Sequence, residues 1–446
     1  MSFPRYAEYK PSGVEWLGEV PAHWQAKRMS HLFGLIASGT TPSTDDSDSY
    51  NGDTPWVTTG ELREDFIEAT EKAVTAAALK KYSALRVYSP GTLLMAMYGA
   101  TIGRLGILRV EACTNQACCA FAEPQSASVR YMFYALLAAR DHLLLIASGG
   151  GQPNVNQDKL RSLRVAAPPL DEQTAIAAFL DLETAKIDAL VAEQQKLIAL
   201  LKEKRQAVIS HAVTKGLNPN APMTPSGIEW LGDVPAHWAL LRLKEFTSFS
   251  GGGTPSRDDL TLWNGDIPWV SPKDMKSERI IGAEEKITQA GLDASASNLI
   301  GEGQLLMVVR SGILKHTIPV GINAAPVAMN QDMKALHFKT GTCLSAFFLR
   351  WTQGLNSILL HAWAKQGATV ESIEHDNLAN TLVPLPPVDE QTAIATFLDH
   401  ETAKIDTLIA EADRITVLLK ERRSALISAA VTGQIDVRET IDMEAP

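Results

Sequence analysis

The sequence has few cysteines, no long apolar run and no apolar segment at its N-terminus. Its 446 residues include only four cysteines, without a CxxC pair or a nearby histidine cluster, at Cys113, Cys118, Cys119 and Cys343. This pattern predicts reduced, partly buried thiols and no metal site. No apolar stretch approaches the roughly 18 residues of a membrane-spanning helix, and the first residues, MSFPRYAEYK, do not resemble a secretion signal. We therefore expect a cytoplasmic protein that has no membrane partner.

An excess of positive charge is also missing. The 41 Lys and Arg residues are outnumbered by 51 Asp and Glu residues, which gives a formal net charge of −10. This balance argues against a simple nucleic-acid binder, because such proteins usually present a basic surface. Part of the acidic excess lies in the C-terminal tail, at Glu439, Asp442 and Glu444. Residues 27–164 are close to neutral, so their composition is compatible with a local basic face.

One segment of the chain occurs twice. Residues 171–190 read DEQTAIAAFLDLETAKIDAL, and residues 389–408 read DEQTAIATFLDHETAKIDTL. The two copies differ at only three positions, which are Ala178/Thr396, Leu182/His400 and Ala189/Thr407. Chance does not produce such a match, so one structural unit has been used twice in this chain.

Each copy opens a long stretch that is typical of a helix. The stretches run from proline pairs at 168–169 and 386–387 to Gly216 and Gly433, with no proline or glycine in between. We expect Asp171 and Asp389 to cap the helices and the two glycines to end them. A helix of roughly 43 residues would be about 65 Å long.

Apolar residues recur at intervals of three and four along both stretches and predict the seam of a coiled coil. The seam residues that we infer are Leu180, Ile187, Leu190, Leu197 and Leu201 in the first copy, and Leu398, Ile405, Leu408, Ile415 and Leu419 in the second. The alternative is two buried helices of one globular domain, for which this apolar stripe is too narrow and too long.

A second repeat precedes each half of the chain. Residues 12–24 read SGVEWLGEVPAHW, and residues 226–238 read SGIEWLGDVPAHW. Paired tryptophans with glycine and proline suggest a strap that anchors on a neighbouring surface. We expect His23 and His237 to be packed side chains, while a catalytic or peptide-binding role is the alternative.

Between strap and helix lie two segments of about 140 residues, 25–167 and 239–383. They share the sequences GTTPS at 39–43 and GGTPS at 252–256, then NGDTPWVT at 51–58 and NGDIPWVS at 264–271, and diverge elsewhere. Short β-rich runs predict an α/β domain in each. The expected order is a strap (1–24), the first domain (25–167), a helix (168–216), a linker and second strap (217–238), the second domain (239–383), a helix (384–434) and a tail (435–446).

These doubled motifs resemble the specificity subunit of type I restriction–modification systems, over residues 12–433. The resemblance implies two α/β target-recognition domains joined by two long antiparallel coiled-coil helices, with an internal pseudo-twofold repeat. Each domain would read one half of a bipartite, asymmetric site in double-stranded DNA. The helices would set the spacer and dock two modification (methyltransferase) subunits, which restriction (ATP-dependent translocase and nuclease) subunits can join. The resemblance implies no catalytic residue, metal or cofactor in this chain.

DNA contacts in such domains are expected from cationic, amide and hydroxyl side chains on loops. The candidates in the first domain are Thr40, Thr41, Ser43, Arg63, Lys80, Lys81, Tyr98, Arg104 and Gln116, and those in the second are Thr254, Ser256, Arg257, Lys273, Lys276, Arg279, Arg310 and Lys315. For each of them, a solvated or structural role is the alternative.

Two other classes of function are alternatives. In a fused methyltransferase or nuclease, FSGGG at 249–253 would be an F-x-G-x-G adenosylmethionine loop and EEK at 284–286 a nuclease E-x-K. However, the repeat partner of the first motif, IASGT at 36–40, lacks its pattern, and no Asp/Asn-Pro-Pro-aromatic motif or Walker A loop occurs. A coiled-coil scaffold without DNA would explain the long helices but not two diverged domains of equal size.

Overall fold

The computed structural model describes residues 3–148 and 153–438. Glu439, Asp442 and Glu444 of the acidic tail lie outside the described residues. The chain divides into two compact units, formed by residues 1–194 with 414–446 and by residues 195–413. Each unit contains one α/β domain, the beginning of one long helix and the end of the other.

The first unit contains twelve strands: β1 (Tyr9–Pro11), β2 (Glu19–Pro21), β3 (Gln25–Arg28), β4 (Phe33–Ser38), β5 (Tyr50–Val57), β6 (Asp65–Ile67), β7 (Ala73–Val74), β8 (Leu93–Ala96), β9 (Leu105–Leu108), β10 (Cys113–Thr114), β11 (Cys118–Pro124) and β12 (Arg164–Ala167), as counted over its described residues. Its helices are α1 (Met29–Leu32), α2 (Ala76–Lys81), α3 (Val129–Ala138), α4 (Arg140–Ile146), α5 (Gln157–Ser162) and the beginning of α6 (Leu170–Lys215).

A five-stranded sheet in the order β4-β11-β8-β9-β6 forms the centre of the first domain. Its neighbouring strands are antiparallel, except for the parallel pair β9 and β6. Strands β8 and β9 are apolar and buried at every position, as expected for central strands covered on both faces. Helix α3 packs against β9, and a smaller sheet in the order β10-β5-β7 lies beside the main one.

The second unit contains β13 (Met223–Pro225), β14 (Asp233–Pro235), β15 (Ala239–Arg242), β16 (Thr247–Gly251), β17 (Trp263–Val270), β18 (Arg279–Ile280), β19 (Lys286–Ile287), β20 (Leu305–Val308), β21 (Val320–Asn323), β22 (Ala328–Met329), β23 (Met333–Phe338) and β24 (Leu382–Leu385). Its helices are α7 (Leu243–Phe246), α8 (Gln289–Asp293), α9 (Ser345–Gly354), α10 (Asn356–Trp363), α11 (His375–Asn380) and the beginning of α12 (Val388–Val431).

The second domain repeats the topology of the first. Its sheets have the orders β16-β23-β20-β21-β18 and β19-β17-β22, and helix α9 takes the place of α3 by packing against β21. In both domains the first and last strands pair antiparallel, β3 with β12 and β15 with β24. The predicted fold class, two α/β domains with two long helices and an internal repeat, is confirmed.

The long helices begin earlier than we expected. They start at Leu170 and Val388, so Asp171 and Asp389 lie inside the first turn and do not cap it. The preceding proline explains the difference, because its fixed φ suits the start of a helix. The two carboxylates still face the positive end of the helix dipole. At the other ends Gly216 and Gly433 adopt left-handed φ angles of 74° and 73°, a conformation that terminates helices.

A duplicated glutamine joins each domain to the start of its own long helix. Gln173 Oε1 accepts a hydrogen bond from the amide of Ser128, and Gln391 Oε1 accepts one from the amide of Leu344, both 2.8 Å long. Each glutamine also donates to the carbonyl oxygen five residues before it, at 2.9 Å in both helices. Both side chains are buried, so these bonds orient the first turn of each long helix against its domain.

The coiled-coil seam differs from the predicted one at four of its positions. Leu190, Leu197, Leu408 and Ile415 are 44–49% exposed. Positions that are buried or half-buried alternate at steps of four and three, at Leu180, Thr184, Ile187, Val191, Gln194, Ile198, Leu201, Arg205 and Val208 in α6, and at Leu398, Thr402, Ile405, Ile409, Ala412, Thr416, Leu419, Arg423 and Leu426 in α12. Each misassigned residue immediately precedes a true seam position. The sequence favoured these four residues because they are apolar. The seven-residue repeat of the seam, however, decides which positions face the partner helix.

Ion pairs between the long helices are duplicated with the repeat. Asp188 Oδ1 lies 2.9 Å from Arg423 Nε in the first unit, and Arg205 donates two hydrogen bonds of 2.8 and 3.2 Å to Asp406 in the second. Between the pairs the numbering rises by 17 in α6, from Asp188 to Arg205, and falls by 17 in α12, from Arg423 to Asp406. Such opposite steps are those of an antiparallel register.

Each strap lies where one long helix begins and the other ends. In the first unit Glu172 is 5% exposed and accepts hydrogen bonds from Tyr6 Oη at 2.7 Å and Trp24 Nε1 at 3.1 Å. His23 Nε2 lies 2.9 Å from the same carboxylate. Tyr9 Oη donates a 2.9 Å bond to the carbonyl of Gly433, at the end of α12.

The second strap repeats only part of this arrangement. His237 Nε2 lies 2.8 Å from Glu390 of α12, and the Nζ of Lys215, at the end of α6, donates to the carbonyl of Asp233. The indole nitrogen of Trp238 is buried and has no hydrogen-bond partner among the described residues. Both histidines therefore pair with a helix carboxylate, but their side chains are 44% and 49% exposed, so they are less packed than expected.

Candidate nucleic-acid interface

The loop after β4, residues 39–46, carries Thr40, Thr41 and Ser43. Aromatic side chains fix its backbone through hydrogen bonds from Trp56 Nε1 to the carbonyl of Thr40 (3.2 Å), from Tyr50 Oη to the carbonyl of Pro42 (2.6 Å) and from the amide of Ser43 to Tyr82 Oη (3.3 Å). The side chain of Ser43 is exposed and those of both threonines are half-buried. The loop therefore presents three hydroxyl groups from a fixed backbone.

The end of helix α2 lies against this loop and adds two cations. Lys81 Nζ donates a 2.7 Å hydrogen bond to Asp46 Oδ2. The bond lowers the pKa of Asp46 and raises the pKa of Lys81, so both groups stay charged at neutral pH. Lys80 is exposed beside it. These cations can meet phosphates at the same loop that presents the hydroxyls.

The turn between β10 and β11 brings Gln116 to the loop, where the hydroxyl of Thr41 donates to Gln116 Oε1. The next residue of this turn accepts a 2.9 Å hydrogen bond from the amide of Met97, which places Tyr98 beside the turn. Tyr98 is 41% exposed. Arg104 is exposed at the other end of the β8–β9 connection, and its carbonyl accepts a 2.9 Å bond from the amide of Ala96.

The second domain builds the corresponding loop. The hydroxyl of Thr254 donates to Gln331 Oε1, between β22 and β23. Gln331 was not among our candidates, although the pair Asn-Gln at 115–116 and again at 330–331 was a signal in the sequence. The carbonyl of Ser256 accepts a 2.8 Å bond from Trp263 Nε1, which fixes the loop backbone there.

Three of the predicted cations of the second domain are paired with acidic side chains. Arg257 forms a two-bond ion pair with Glu285, which raises the pKa of Arg257 and lowers the pKa of Glu285. Its guanidinium carbon also lies 3.9 Å from the ring centroid of Trp263. Lys276 Nζ lies 3.0 Å from Glu284, and Arg310 Nε lies 3.2 Å from Asp332. Arg257 is thus held on both sides, by a carboxylate and by an aromatic ring.

The remaining second-domain cations divide into two places. Lys273 and Lys315 are exposed at short 3₁₀ turns, Pro272–Asp274 and Gly312–Lys315. Arg279 lies instead in a groove of about 450 Å³ beside the first half of α12. Arg63 lines the corresponding groove, of about 490 Å³, in the first unit. These two arginines are therefore separate from the loops that carry the other candidates.

The two grooves contain arginines that sequence reasoning missed. Arg130 Nε donates a 2.6 Å hydrogen bond to Asp181 of α6. Arg350 is 6% exposed and donates 2.7 Å bonds to Asp399 of α12 and to Glu278. The two arginines occupy different turns of their helices, α3 and α9, so no repeat in the sequence indicated them. They join each domain to its long helix.

The four cysteines are buried and free of disulfide bonds. Burial raises the pKa of Cys113 and Cys119 to about 12, so these thiols are neutral at physiological pH. Within residues 3–148 and 153–438, no three His, Cys, Asp or Glu residues are grouped so that they could hold a metal ion. In the same described ranges, none of the helices combines the length and apolarity needed to cross a membrane.

The two enzyme-like motifs occupy structural positions. In the FSGGG sequence, Phe249 to Gly251 belong to strand β16 at the edge of the main sheet, not to a loop that opens a helix. In the EEK sequence, Glu284 pairs with Lys276 and Glu285 pairs with Arg257. The first motif thus belongs largely to a sheet edge, and both glutamates of the second are ion-paired.

Comparisons with known proteins agree on one family. The model of the type I restriction modification DNA specificity domain matches residues 21–199 and 235–416. A type I restriction enzyme specificity subunit of Escherichia coli is 36% identical over 167 residues, 37% of this chain and 40% of the relative's length. A specificity subunit of Methanocaldococcus jannaschii is 20% identical over 443 residues, 94% of both chains.

A solved chain from a study of complex assembly and conformational transition in a type I restriction–modification system has the same fold. It superposes with a TM-score of 0.72 at 15% identity, over 92% of this chain and 98% of that one. The family model covers most of the chain in two copies, as the internal repeat requires. The chain therefore belongs to the family of type I restriction–modification specificity subunits.

Proposed function

We propose that this chain is the DNA-recognition subunit of a type I restriction–modification complex and that each domain reads one half of a bipartite, asymmetric site in double-stranded DNA. The observation that carries this proposal is one loop architecture with different side chains. Tyr98 and Arg310 follow corresponding strands, β8 and β20, and lie beside corresponding turns. An aromatic hydroxyl and a guanidinium match different base edges, so the two half-sites differ in sequence.

In this proposal the long helices set the spacer and dock two modification subunits, and restriction subunits join that assembly. Exposed apolar side chains outside the seam support a docking role, because such patches often mark protein interfaces. They include Leu182, Leu190, Leu197 and Leu200 in α6 and Leu408, Ile415, Val417 and Leu418 in α12. The misassigned seam residues thus become candidates for contact with a partner subunit.

The same proposal gives the chain no catalytic activity of its own. Methyl transfer belongs to the modification subunits, which supply the adenosylmethionine site and the catalytic motif that this sequence lacks. Methyl incorporation into DNA is measured with the purified chain alone and with the chain plus its modification subunit. We expect incorporation only in the second case, and activity of the chain alone would support the fused-enzyme alternative instead.

Mapping of methylated adenines tests the recognition role directly. DNA from cells that produce this chain and its modification subunit is compared with DNA from cells that produce the modification subunit alone. We expect a split motif with two unlike halves and a fixed gap, present only when the chain is present. A continuous motif, or methylation independent of the chain, would refute the proposal.

A further inference from the structure

Both domains keep one polar pair although several residues beside it differ. Thr41 donates to Gln116 Oε1 and Thr254 donates to Gln331 Oε1, each within its own unit. The threonine comes from the loop after the first strand of the main sheet, and the glutamine from the turn before the second. The same two residue types therefore meet at the same place in both domains.

The turn that carries each glutamine is also duplicated. Asn115 Oδ1 accepts a 3.1 Å hydrogen bond from the amide two residues later, and Asn330 Oδ1 accepts a corresponding bond of 3.0 Å. The amides of these asparagines donate 3.0 Å bonds to the carbonyls of Val57 and Val270, at the ends of β5 and β17. Each glutamine is thus projected from a turn that is fixed at its base.

The threonine orients the amide of the glutamine. With Oε1 engaged by the hydroxyl, the two N–H donors are the groups that each exposed side chain offers to a ligand. These donors suit a ligand that is a hydrogen-bond acceptor. On DNA, phosphate oxygens are acceptors at every base step, and glutamine is among the side chains that bind them.

The residues beside the pair are not the same in the two domains. Ala117 follows one glutamine and Asp332 the other, while Tyr98 and Arg310 occupy the neighbouring strand ends. A pair that is identical in both domains is unsuited to distinguishing two unlike half-sites, whereas its varied neighbours are suited to it. Constancy of the pair thus favours a contact that is independent of base sequence.

We propose that Gln116 and Gln331 each donate a hydrogen bond to a phosphate oxygen in the half-site of their own domain and anchor that domain on DNA independently of sequence. This inference rests on the proposed recognition function. Thr41 and Thr254 are positioning residues, because they hold the glutamine amides without being required to touch DNA.

Substitutions at the glutamines test the anchor in the complex of the full chain with its modification subunits. Gln116→Glu and Gln331→Glu keep an acceptor for the threonine but place a negative charge toward the phosphate. Gln116→Ala and Gln331→Ala remove the donor. Gln125→Glu is the matched control, because Gln125 is exposed just beyond the far end of β11 from Gln116. Thermal unfolding confirms that each variant is folded.

Dissociation constants are measured on a duplex that contains the mapped site and on an unrelated duplex. We expect each alanine variant to raise the dissociation constant about tenfold, the usual effect of one hydrogen bond to a charged group, and by the same factor on both duplexes. The glutamate variants should bind more weakly still, the control should bind like the wild type, and the methylated motif should not change.

Other outcomes would show whether the anchor or the proposed function is wrong. A changed base in one half-site would make the glutamine a base reader, and unchanged dissociation constants would make the pair purely structural; either result overturns the inference. If the wild-type complex itself methylates no split motif, the proposed function fails. If the wild-type complex methylates a split motif but the glutamine variants bind both duplexes like the wild type, the anchor alone is refuted.

Discussion

Glu172 and Glu390 occupy the same place in the repeat but have different surroundings. Tyr6, Trp24 and His23 all point to Glu172, whereas His237 points to Glu390. Burial and the neighbouring carboxylate raise the pKa of Tyr6, so its hydroxyl remains a donor at every physiological pH. The first strap is therefore fixed by several polar contacts on a buried carboxylate, and the second by fewer.

Replacing these two glutamates should reduce the stability of the protein by different amounts. Glu172→Ala leaves buried donors without an acceptor, and we expect the free energy of unfolding to fall by about 3 kcal/mol. Glu390→Ala is the matched control and should cost under about 1 kcal/mol, because the contact of that side chain with His237 lies at a partly exposed site. Urea denaturation followed by tryptophan fluorescence measures both. Equal losses would show that the additional donors do not stabilise the first strap.

Some contacts of single residues could not be predicted from the sequence. The ion pair of Arg257 joins residues 28 positions apart, and Gln331 meets a threonine 77 positions away. Neither contact follows from local spacing, so the sequence shows neither the pairing of Arg257 with Glu285 nor the meeting of Gln331 with Thr254. The repeated Asn-Gln pair was visible, but its meaning depends on a turn that only the fold creates.

The long helices were predictable as elements because proline, glycine and repetition mark their limits. Their seam was harder to assign, since Leu190 and Val191 are both apolar and follow Ile187 at the two steps that a coiled coil permits. The choice between such neighbours requires the register of the partner helix. The ion pairs of Asp188 and Arg205 supply it, and they join residues more than two hundred positions apart in the sequence.

Two adjacent residues of α6 provide a test of this register. Ile198 is 9% exposed and Leu197 is 44% exposed. We expect Ile198→Ala to lower the free energy of unfolding by about 2–4 kcal/mol, as for a buried aliphatic residue. Leu197→Ala should cost less than about 1 kcal/mol, as for a surface position, and should weaken assembly with the modification subunit. Denaturation measures the loss of stability, and co-purification measures assembly with the modification subunit. A larger loss of stability for Leu197→Ala than for Ile198→Ala would show that Leu197 lies in the seam.

Seven-residue insertions test whether the helices act as a ruler. One heptad after Gln194 and one after Ala412 preserve the alternation of four and three in both helices and lengthen each by about 10 Å. We expect the same half-sites with a spacer longer by about three base pairs, at about 3.4 Å per base pair. Four-residue insertions at the same places are the control and should reduce stability. A stable heptad variant with the original spacer would show that another part of the complex sets the gap.

At the scale of the whole molecule, the first and last strands of each domain lie side by side. Gln25 is paired with Ala167 across β3 and β12, and Ala239 is paired with Leu385 across β15 and β24. A domain whose first and last residues are neighbours can be replaced without changing the path of the remaining chain. The limits that we inferred from composition and repeats, 25–167 and 239–383, stay predictions.

Domain exchange should therefore transfer one half of the specificity. Residues 25–167 are replaced by the equivalent segment of the Escherichia coli relative, and methylated sites are mapped in cells that contain the modification subunit. We expect one half-site to change while the other half-site and the spacer remain. The reciprocal exchange of 239–385 serves as the control and should change the opposite half. Simultaneous change of both halves would contradict independent reading by the two domains.

The duplicated Asp–Arg pairs have a consequence for assembly. Because each long helix carries both members of the pair at the same repeat positions, the pairs also match between corresponding helices of two copies. Contacts alone do not favour pairing within one chain. The covalent connection between the two helices does, since residues 216–387 join the end of α6 to the beginning of α12 and so raise the effective concentration of one helix near the other. Exchange between chains is thus suppressed by tethering, through entropy and not through any contact.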